Sequence, residues 1–189
     1  WQFVLKEPAP KLDDMERILE EMGNAQCVIG MEHMQLIHLA SARLTRLGIP
    51  HGFLTGEQSE YERDQYLQVL RDKRIRVLLF TLKAGGEGIS MDFVPNMILL
   101  QRSWRMVTDL QAVARVYRFG SIVHQMVNIV DVITSDTVEE EQVTRLYQKA
   151  ARLEEIQRDR AQLMQAGLDT SHLDNEFNQI VQSHLGMPT

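Results

Sequence analysis

Residues Ile75–Phe80 have the sequence Ile-Arg-Val-Leu-Leu-Phe, and a glycine-rich segment, Thr81–Ser90, follows them directly as Thr-Leu-Lys-Ala-Gly-Gly-Glu-Gly-Ile-Ser. A short run that is apolar at nearly every position is typical of a strand covered on both faces of a parallel sheet. On both sides of this run, segments with helical spacing alternate with short apolar segments. The pattern predicts an α/β fold, a parallel sheet with helices on both of its faces.

The remaining elements are predicted from apolar periodicity and from the glycines and prolines that interrupt it. Helices are expected over residues 11–22, 32–47, 57–72 and 107–117. Strands are expected over residues 26–29, 51–54, 75–80, 96–100 and 125–133. This arrangement predicts one domain over residues 1–134.

The pattern changes at Asp136, where a long polar segment begins that carries apolar residues at three- and four-residue steps. It predicts a helix to about Gln165, a break at Gly167 and a second helix over residues 175–185. Asp136 and Glu139 have the spacing of a capping box at the start of the long helix. Residues 135–189 are therefore expected to form a helical extension that packs on the first domain or braces it.

The composition is that of a globular protein. The chain has 189 residues, 44% of them hydrophobic, and a net charge of −6, which suits one core and a small appendage. The single cysteine, Cys27, excludes an internal disulfide. Apolar runs stay well short of the ~20 residues that span a bilayer, so no membrane association is expected. Basic side chains gather between Arg63 and Arg118 despite the acidic total, which leaves room for a basic face.

The glycine-rich segment is a candidate phosphate-binding turn. It follows a predicted buried strand, and ligands of parallel sheets gather at the carboxyl ends of strands. Gly86 and Gly88 allow backbone N–H groups to approach phosphate oxygens closely. Two alternatives remain open for this segment alone. It can be a simple tight bend, or it can bind a dinucleotide in a complete α/β enzyme, although Met91 occupies the place of the third glycine that a dinucleotide fingerprint requires.

A second candidate segment is Gln111–Gly120, in which Arg115 and Arg118 are three residues apart and share one face of the predicted helix. Two guanidinium groups on one face suit a triphosphate, because each is a planar fork of donors with a permanent charge. The alternative is a pair of surface arginines that form ion pairs with acids such as Asp109 or Asp131.

Taken together, the two segments resemble motifs V and VI of the Swi/Snf-like branch of superfamily-two helicase-type ATPases. The first is Thr81–Ser90, and the second is Gln-Ala-x-x-Arg-x-x-Arg-x-Gly over residues 111–120. Asp136-Thr-Val-Glu-Glu resembles the segment that opens the closing helix of that branch. The resemblance covers residues 25–150. The chain departs from the family at Thr55, where aspartate is usual, and at Gly30-Met31, where a more polar pair is usual.

The resemblance implies a RecA-like second lobe and assigns roles to particular residues. Arg115 and Arg118 would approach the γ-phosphate, with Arg118 as the arginine finger. The nucleotide-binding residues would be Gly86, Glu87, Gly88 and Gln111. The nucleic-acid backbone would contact Thr81, Lys83, Gly56 and Arg63. No metal ligand is expected in this chain.

Residues that the family needs on its first lobe do not occur in this sequence. There is no Gly-x-x-x-x-Gly-Lys-Ser/Thr phosphate loop and no Asp-Glu box after a strand. ATP and Mg²⁺ would therefore be bound mainly by an N-terminal RecA-like lobe of the same protein, and this chain alone would be inactive. The expected partner is DNA, as a duplex contacted through its backbone. A phage or bacterial host implies the cytoplasm, and a eukaryotic host implies the nucleus. The alternative from another class is a non-hydrolysing nucleic-acid or protein interaction module.

Overall fold

The structure is a computed structural model that describes residues 9–85, 90–103, 106–116 and 126–185. The chain divides into two compact units. The first comprises residues 1–103 and 108–134, and the second comprises residues 104–107 and 135–189.

The first unit is built around a five-stranded parallel sheet. Its strands are β1 (Cys27–Met31), β2 (His51–Leu54), β3 (Val77–Thr81), β4 (Asn96–Leu99) and β5 (Asn128–Asp131). Its helices are α1 (Pro10–Glu21), α2 (Met34–Arg46), α3 (Glu60–Arg71), the four-residue α4 (Leu82–Gly85) and α5 (Met106–Val116). The strand order is β2-β3-β1-β4-β5, and every pair of neighbours is parallel. The predicted parallel α/β fold is confirmed.

Alternation along the strands divides the apolar side chains between the two faces of the sheet. On one face, Cys27 and Ile29 of β1 and Leu79 of β3 pack in the cluster that contains the buried residues of α1 and α2. On the other, Val28 and Phe80 pack in the cluster that contains the buried residues of α3 and α5. Both faces are covered, which explains why β1, β3 and β4 are buried along their whole length.

Gly30 lies on the second face of β1, where an added side chain would meet two neighbouring side chains. It lies directly across from Phe80 in the parallel register. A Cβ at Gly30 would lie 2.9 Å from Phe80 Cζ and 2.9 Å from Leu82 Cδ2. A side chain at this position would therefore require its two neighbours on β3 and α4 to shift.

Several local features differ from the sequence prediction, among them the start of the last helix, which is Ser171 and not residue 175. The segment after β3 begins with the short helix α4, which was not expected from its glycines. The long helix of the second unit, α6 (Val138–Gln165), has Thr137 as its N-cap, and its hydroxyl accepts the Glu139 N–H at 3.3 Å. The predicted capping box at Asp136 is therefore wrong. Asp136 adopts a positive φ of 59°, and its own N–H donates to Glu140 Oε2.

The second unit pairs α6 with α7 (Ser171–Leu185), and Gly167 ends α6 with a φ of +68°. Ile156 and Leu173 are buried. Ion pairs join the two helices at Arg152–Glu176 and Arg160–Asp174. Across the described helices, none combines the length and the apolar character needed to cross a membrane.

Candidate functional site

The carboxyl ends of β2 and β3 bring two predicted contact regions together. The two strands are direct neighbours, with Leu54 level with Phe80. Thr55 and Gly56 therefore leave the sheet beside Thr81. Thr55 is buried, and its N–H donates to Gln58 Oε1 at 2.9 Å. Gly56 is exposed, and a Cβ placed there would meet no atom within 4 Å.

Thr81 and Lys83 have different environments although they are two residues apart. Thr81 is 8% exposed, and its hydroxyl accepts the Ala84 N–H at 3.3 Å. That bond fixes the first turn of α4 and uses the hydroxyl as an acceptor, so its O–H can still donate to a ligand. Lys83 is exposed on α4. Arg63 lies on α3 and is partly buried.

Helix α5 carries the described residues of the second motif. Gln111 is exposed, and Arg115 is partly exposed in the last turn. The carbonyl of Arg115 accepts the Met91 N–H at 2.8 Å. Met91 follows the glycine-rich segment directly, so this bond joins the end of the arginine-bearing helix to the end of that segment. Two segments that are 20 residues apart in sequence are thereby held together.

Four of the predicted site residues lie outside the described residues: Arg118, Gly86, Glu87 and Gly88. Their predicted roles remain predictions. Gln111, Arg115, Thr81, Lys83, Gly56 and Arg63 all belong to the described part of the chain.

The connections of the sheet diverge between β1 and β4. From β1 the chain crosses through α2 to β2 at one edge, and from β4 it continues through α5 to β5 at the other. Helix α2 covers one face of the sheet, and α5 covers the opposite face. Ligands of open α/β sheets bind outside the carboxyl ends of strands that diverge in this way. Glu32 follows β1 at this point, and Gln101 and Arg102 follow β4.

Arg102 forms a charged network that the sequence did not predict. Its Nε donates to Asp131 Oδ2 at 2.9 Å, and its Nη1 lies 3.4 Å from Asp109 Oδ2. The Ser103 N–H donates to Asp109 Oδ1 at 2.9 Å. Asp109 belongs to α5 and Asp131 ends β5, so the network links the exits of β4 and β5 to the helix that carries Gln111 and Arg115. Both acids that were considered as partners for the arginine pair bind the Arg102 guanidinium.

Burial gives this network an unusual carboxyl group. Asp109 is 1% exposed, and the loss of solvation raises the pKa of Asp109 to about 6, although the Ser103 N–H and Arg102 act in the opposite direction. In addition to the buried Asp109 carboxyl group, two acceptors within the described part of the chain are buried without a hydrogen bond. They are Gln101 Oε1 and Asp131 Oδ1. The only sequence signal for the network was the presence of charged residues where β4, α5 and β5 begin or end.

The described residues of the two predicted motifs include hydrogen-bond donors that suit anions. Lys83, Gln111 and Arg115 supply N–H donors on exposed or partly exposed positions. In the described ranges, no three His, Cys, Asp or Glu side chains are grouped so that they could hold a metal ion. The donor set fits phosphate oxygens, which accept hydrogen bonds and carry negative charge.

Comparison with known proteins identifies relatives of one kind. The family described as the helicase conserved C-terminal domain matches residues 10–120. The Bacillus subtilis protein YwqA, which its name assigns to the ATP-dependent helicases and translocases, is 31% identical over 132 residues, 67% of this chain. The chromatin-remodeling ATPase INO80 of Neurospora crassa is 29% identical over 149 residues, 78% of this chain. The DNA repair protein RAD5 of Cryptococcus neoformans is 27% identical over 159 residues, 83% of this chain.

This chain is also similar in fold to a solved structure of an ATPase domain. The C-terminal part of the Fun30 ATPase domain superposes with a TM-score of 0.67 and 26% identity, over 76% of this chain and 47% of that one. The chain spans only 14%, 7% and 12% of the lengths of YwqA, INO80 and RAD5.

Proposed function

The chain belongs to the helicase conserved C-terminal domain family, as the second RecA-like lobe of a Swi/Snf-like superfamily-two ATPase, and we propose that it closes over ATP held mainly by a first lobe. In this proposal Arg115 and Arg118 approach the γ-phosphate, and Arg118 is the arginine finger. Gln111 orients the helix, and Gly86, Glu87 and Gly88 line the ribose and phosphates. The chain alone does not hydrolyse ATP.

The observation that carries the proposal is the bond between Met91 N–H and the Arg115 carbonyl. It holds the end of the glycine-rich segment against the helix that bears Gln111 and Arg115, as a shared nucleotide site requires. The donors Gln111 and Arg115 suit a triphosphate. ATP, when bound, supplies the γ-phosphoryl group, and the residues of this chain bind and orient it. Mg²⁺ would be held by the first lobe.

We propose further that the carboxyl edge of β2 and β3 contacts the backbone of duplex DNA. Lys83 is exposed there as a cation, and Gly56 is exposed just after the neighbouring strand β2, with open space around it. Thr81 would contact a backbone phosphate directly, and Arg63 would contact the backbone from the adjoining helix α3. Such contacts determine the register of the duplex without reading its bases. Opening and closing of two lobes with ATP would then move the duplex.

The decisive experiment uses a polypeptide that joins this chain to a first lobe with a phosphate loop. Arg118→Ala is expected to reduce DNA-stimulated turnover by about 10³–10⁵-fold, the range for an arginine finger, while ATP still binds. Arg158→Ala, an exposed arginine of α6, is the matched control and should leave turnover unchanged. Near-normal turnover in the Arg118 variant would remove Arg118 from this role.

A further inference from the structure

The end of helix α3 differs from the ends of three other helices. Helices α1, α2 and α6 are each followed by a glycine with positive φ, at Gly23, Gly48 and Gly167. Helix α3 has Lys73 in the same place, with a φ of 58°. At the ends of these four helices, glycine adopts this conformation three times and lysine once.

The backbone bonds show that Lys73 holds the same structural position as those glycines. The Lys73 N–H donates to the Leu70 carbonyl at 3.0 Å, and the Arg74 N–H donates to the Val69 carbonyl at 3.0 Å. These are the two bonds of a Schellman motif, in which glycine is preferred because it adopts the left-handed conformation without steric cost. A lysine there lacks the conformational freedom of glycine, and the favourable position of its charge at the C-terminus of the helix offsets only part of that cost.

Lys73 is the centre of an exposed basic turn, defined here as Arg71, Lys73 and Arg74. Among the described residues none of the three forms an ion pair with an acid. Asp72, the acid within the turn, accepts a hydrogen bond from the Gln68 amide. The Arg71 guanidinium lies 4.8 Å above the Phe93 ring, which orients the group and leaves its charge available.

The neighbouring Arg76 shows the contrast with a structural arginine. It is partly buried, and its guanidinium donates to the carbonyls of Ala25 and Leu19. Arg76 therefore holds the start of β3 to the end of α1. The three side chains of the basic turn have no such partners in the described structure.

The basic turn is separate from the proposed site at the carboxyl edge of the sheet. It precedes β3, whereas Lys83 follows β3. Five strand residues lie between them, a length of about 16 Å at ~3.3 Å per residue. One phosphate cannot contact both surfaces. A ligand of the basic turn is therefore either a separate polyanion or another stretch of the polyanion that contacts the carboxyl edge.

We propose that the basic turn binds the phosphodiester backbone of duplex DNA, as a second contact surface beyond the carboxyl edge. The choice of DNA as the polyanion rests on the proposed function. Backbone phosphates suit one exposed ammonium and two exposed guanidinium groups in a single turn, and such contacts are independent of sequence.

Lys73→Gly in the full 189-residue chain tests this proposal with two readouts that move in opposite directions. Tm should rise, because glycine removes the cost of the left-handed conformation. Affinity for a 30-base-pair duplex of mixed sequence, measured by fluorescence anisotropy, should fall, and the slope of log K against log salt should become shallower by about 0.9 for the one lost phosphate contact. Arg74→Gln should weaken binding similarly without raising Tm.

Two controls separate this contact from general charge and from the carboxyl edge. Arg158→Gln removes one exposed positive charge from α6 and should leave affinity and slope unchanged. Lys83→Gln tests the carboxyl edge. If it has no effect while Lys73→Gly still weakens binding, the proposed carboxyl-edge contact fails and the basic turn stands.

Three results would overturn the proposal. The first is wild-type affinity and slope in the Lys73→Gly chain, and the second is an equal loss in the Arg158→Gln chain. The third is a wild-type chain that does not bind the duplex at low salt but binds poly-L-glutamate, with the poly-L-glutamate binding lost in the Lys73→Gly chain.

Discussion

Arg102 connects three parts of the chain. It follows β4, and its guanidinium binds Asp109 on α5 and Asp131 at the end of β5. Asp131 lies directly across from Leu99 in the parallel register. Leu99 is on the neighbouring strand β4, three residues before Arg102. This proximity exists only once β4 and β5 have paired. The sequence shows which charged residues are present, but it does not show that these three side chains lie close together.

The raised pKa of Asp109 gives a prediction for the pH dependence of stability. The pKa is about 6 in the folded chain, against an ordinary value of 3.8. The folded state therefore keeps the Asp109 proton to higher pH than the unfolded state does. The contribution of Asp109 to the free energy of unfolding decreases as pH rises from about 4 to about 7. The decrease in the free energy of unfolding from this one group is up to about 3 kcal/mol.

The measurement is the free energy of unfolding of the wild-type chain and of Asp109→Asn between pH 4 and pH 7. The amide keeps an oxygen for the Ser103 N–H and removes the titration. The wild-type chain should lose stability relative to the variant as pH rises. A relative gain with rising pH would show that Arg102, and not burial, controls this carboxyl group.

At the scale of elements, β1 and β3 give a prediction about Gly30. A Cβ added at Gly30 would lie 2.9 Å from the ends of Phe80 and Leu82 and 3.3 Å from Leu99 Cδ2. Gly30→Ala should therefore lower the free energy of unfolding by about 1–3 kcal/mol, the usual cost of overpacking a core.

Gly56→Ala is the matched control, since it makes the same change where no atom lies within 4 Å. It should be neutral, or stabilising by about 0.4–1 kcal/mol through the unfolded state. Urea unfolding of both variants measures the difference. Equal stability of the Gly30 and Gly56 variants would mean that the Phe80 and Leu82 side chains move aside freely.

Elements whose signal is local could be predicted from the sequence. Strand β3 and helix α3 follow from apolar runs and periodicity, and the structure has them within three residues of the predicted bounds. Strand β5 was expected over nine residues, but only Asn128–Asp131 pairs with β4. Its apolar residues continue beyond the pairing, so the pattern alone overestimates the strand. The N-cap of α6 was misplaced by one residue, because Asp136 and Thr137 are both good caps and the backbone at Asp136 has a positive φ.

At the scale of the whole molecule, the candidate site was predictable as a set of residue types but not as an arrangement. The glycine-rich segment and the arginine pair are each common in proteins, and their order and spacing were the informative signal. Their physical connection, through Met91 and the Arg115 carbonyl, depends on α5 folding back over the sheet.

The 189-residue chain as a whole is expected not to hydrolyse ATP by itself. A phosphoryl-transfer site needs a cradle for the β- and γ-phosphates and an ion that neutralises developing charge. The sequence has no phosphate-loop motif, and the described residues hold no group of ligands for a metal ion. The chain should therefore show no ATP hydrolysis above background, with or without duplex DNA, in a phosphate-release assay. Arginines that approach a nucleotide from one side can stabilise a transition state only when another part of the protein holds that nucleotide. DNA-stimulated turnover by this chain alone, retained through purification and lost in Arg115→Ala, would refute the division of the site between two lobes.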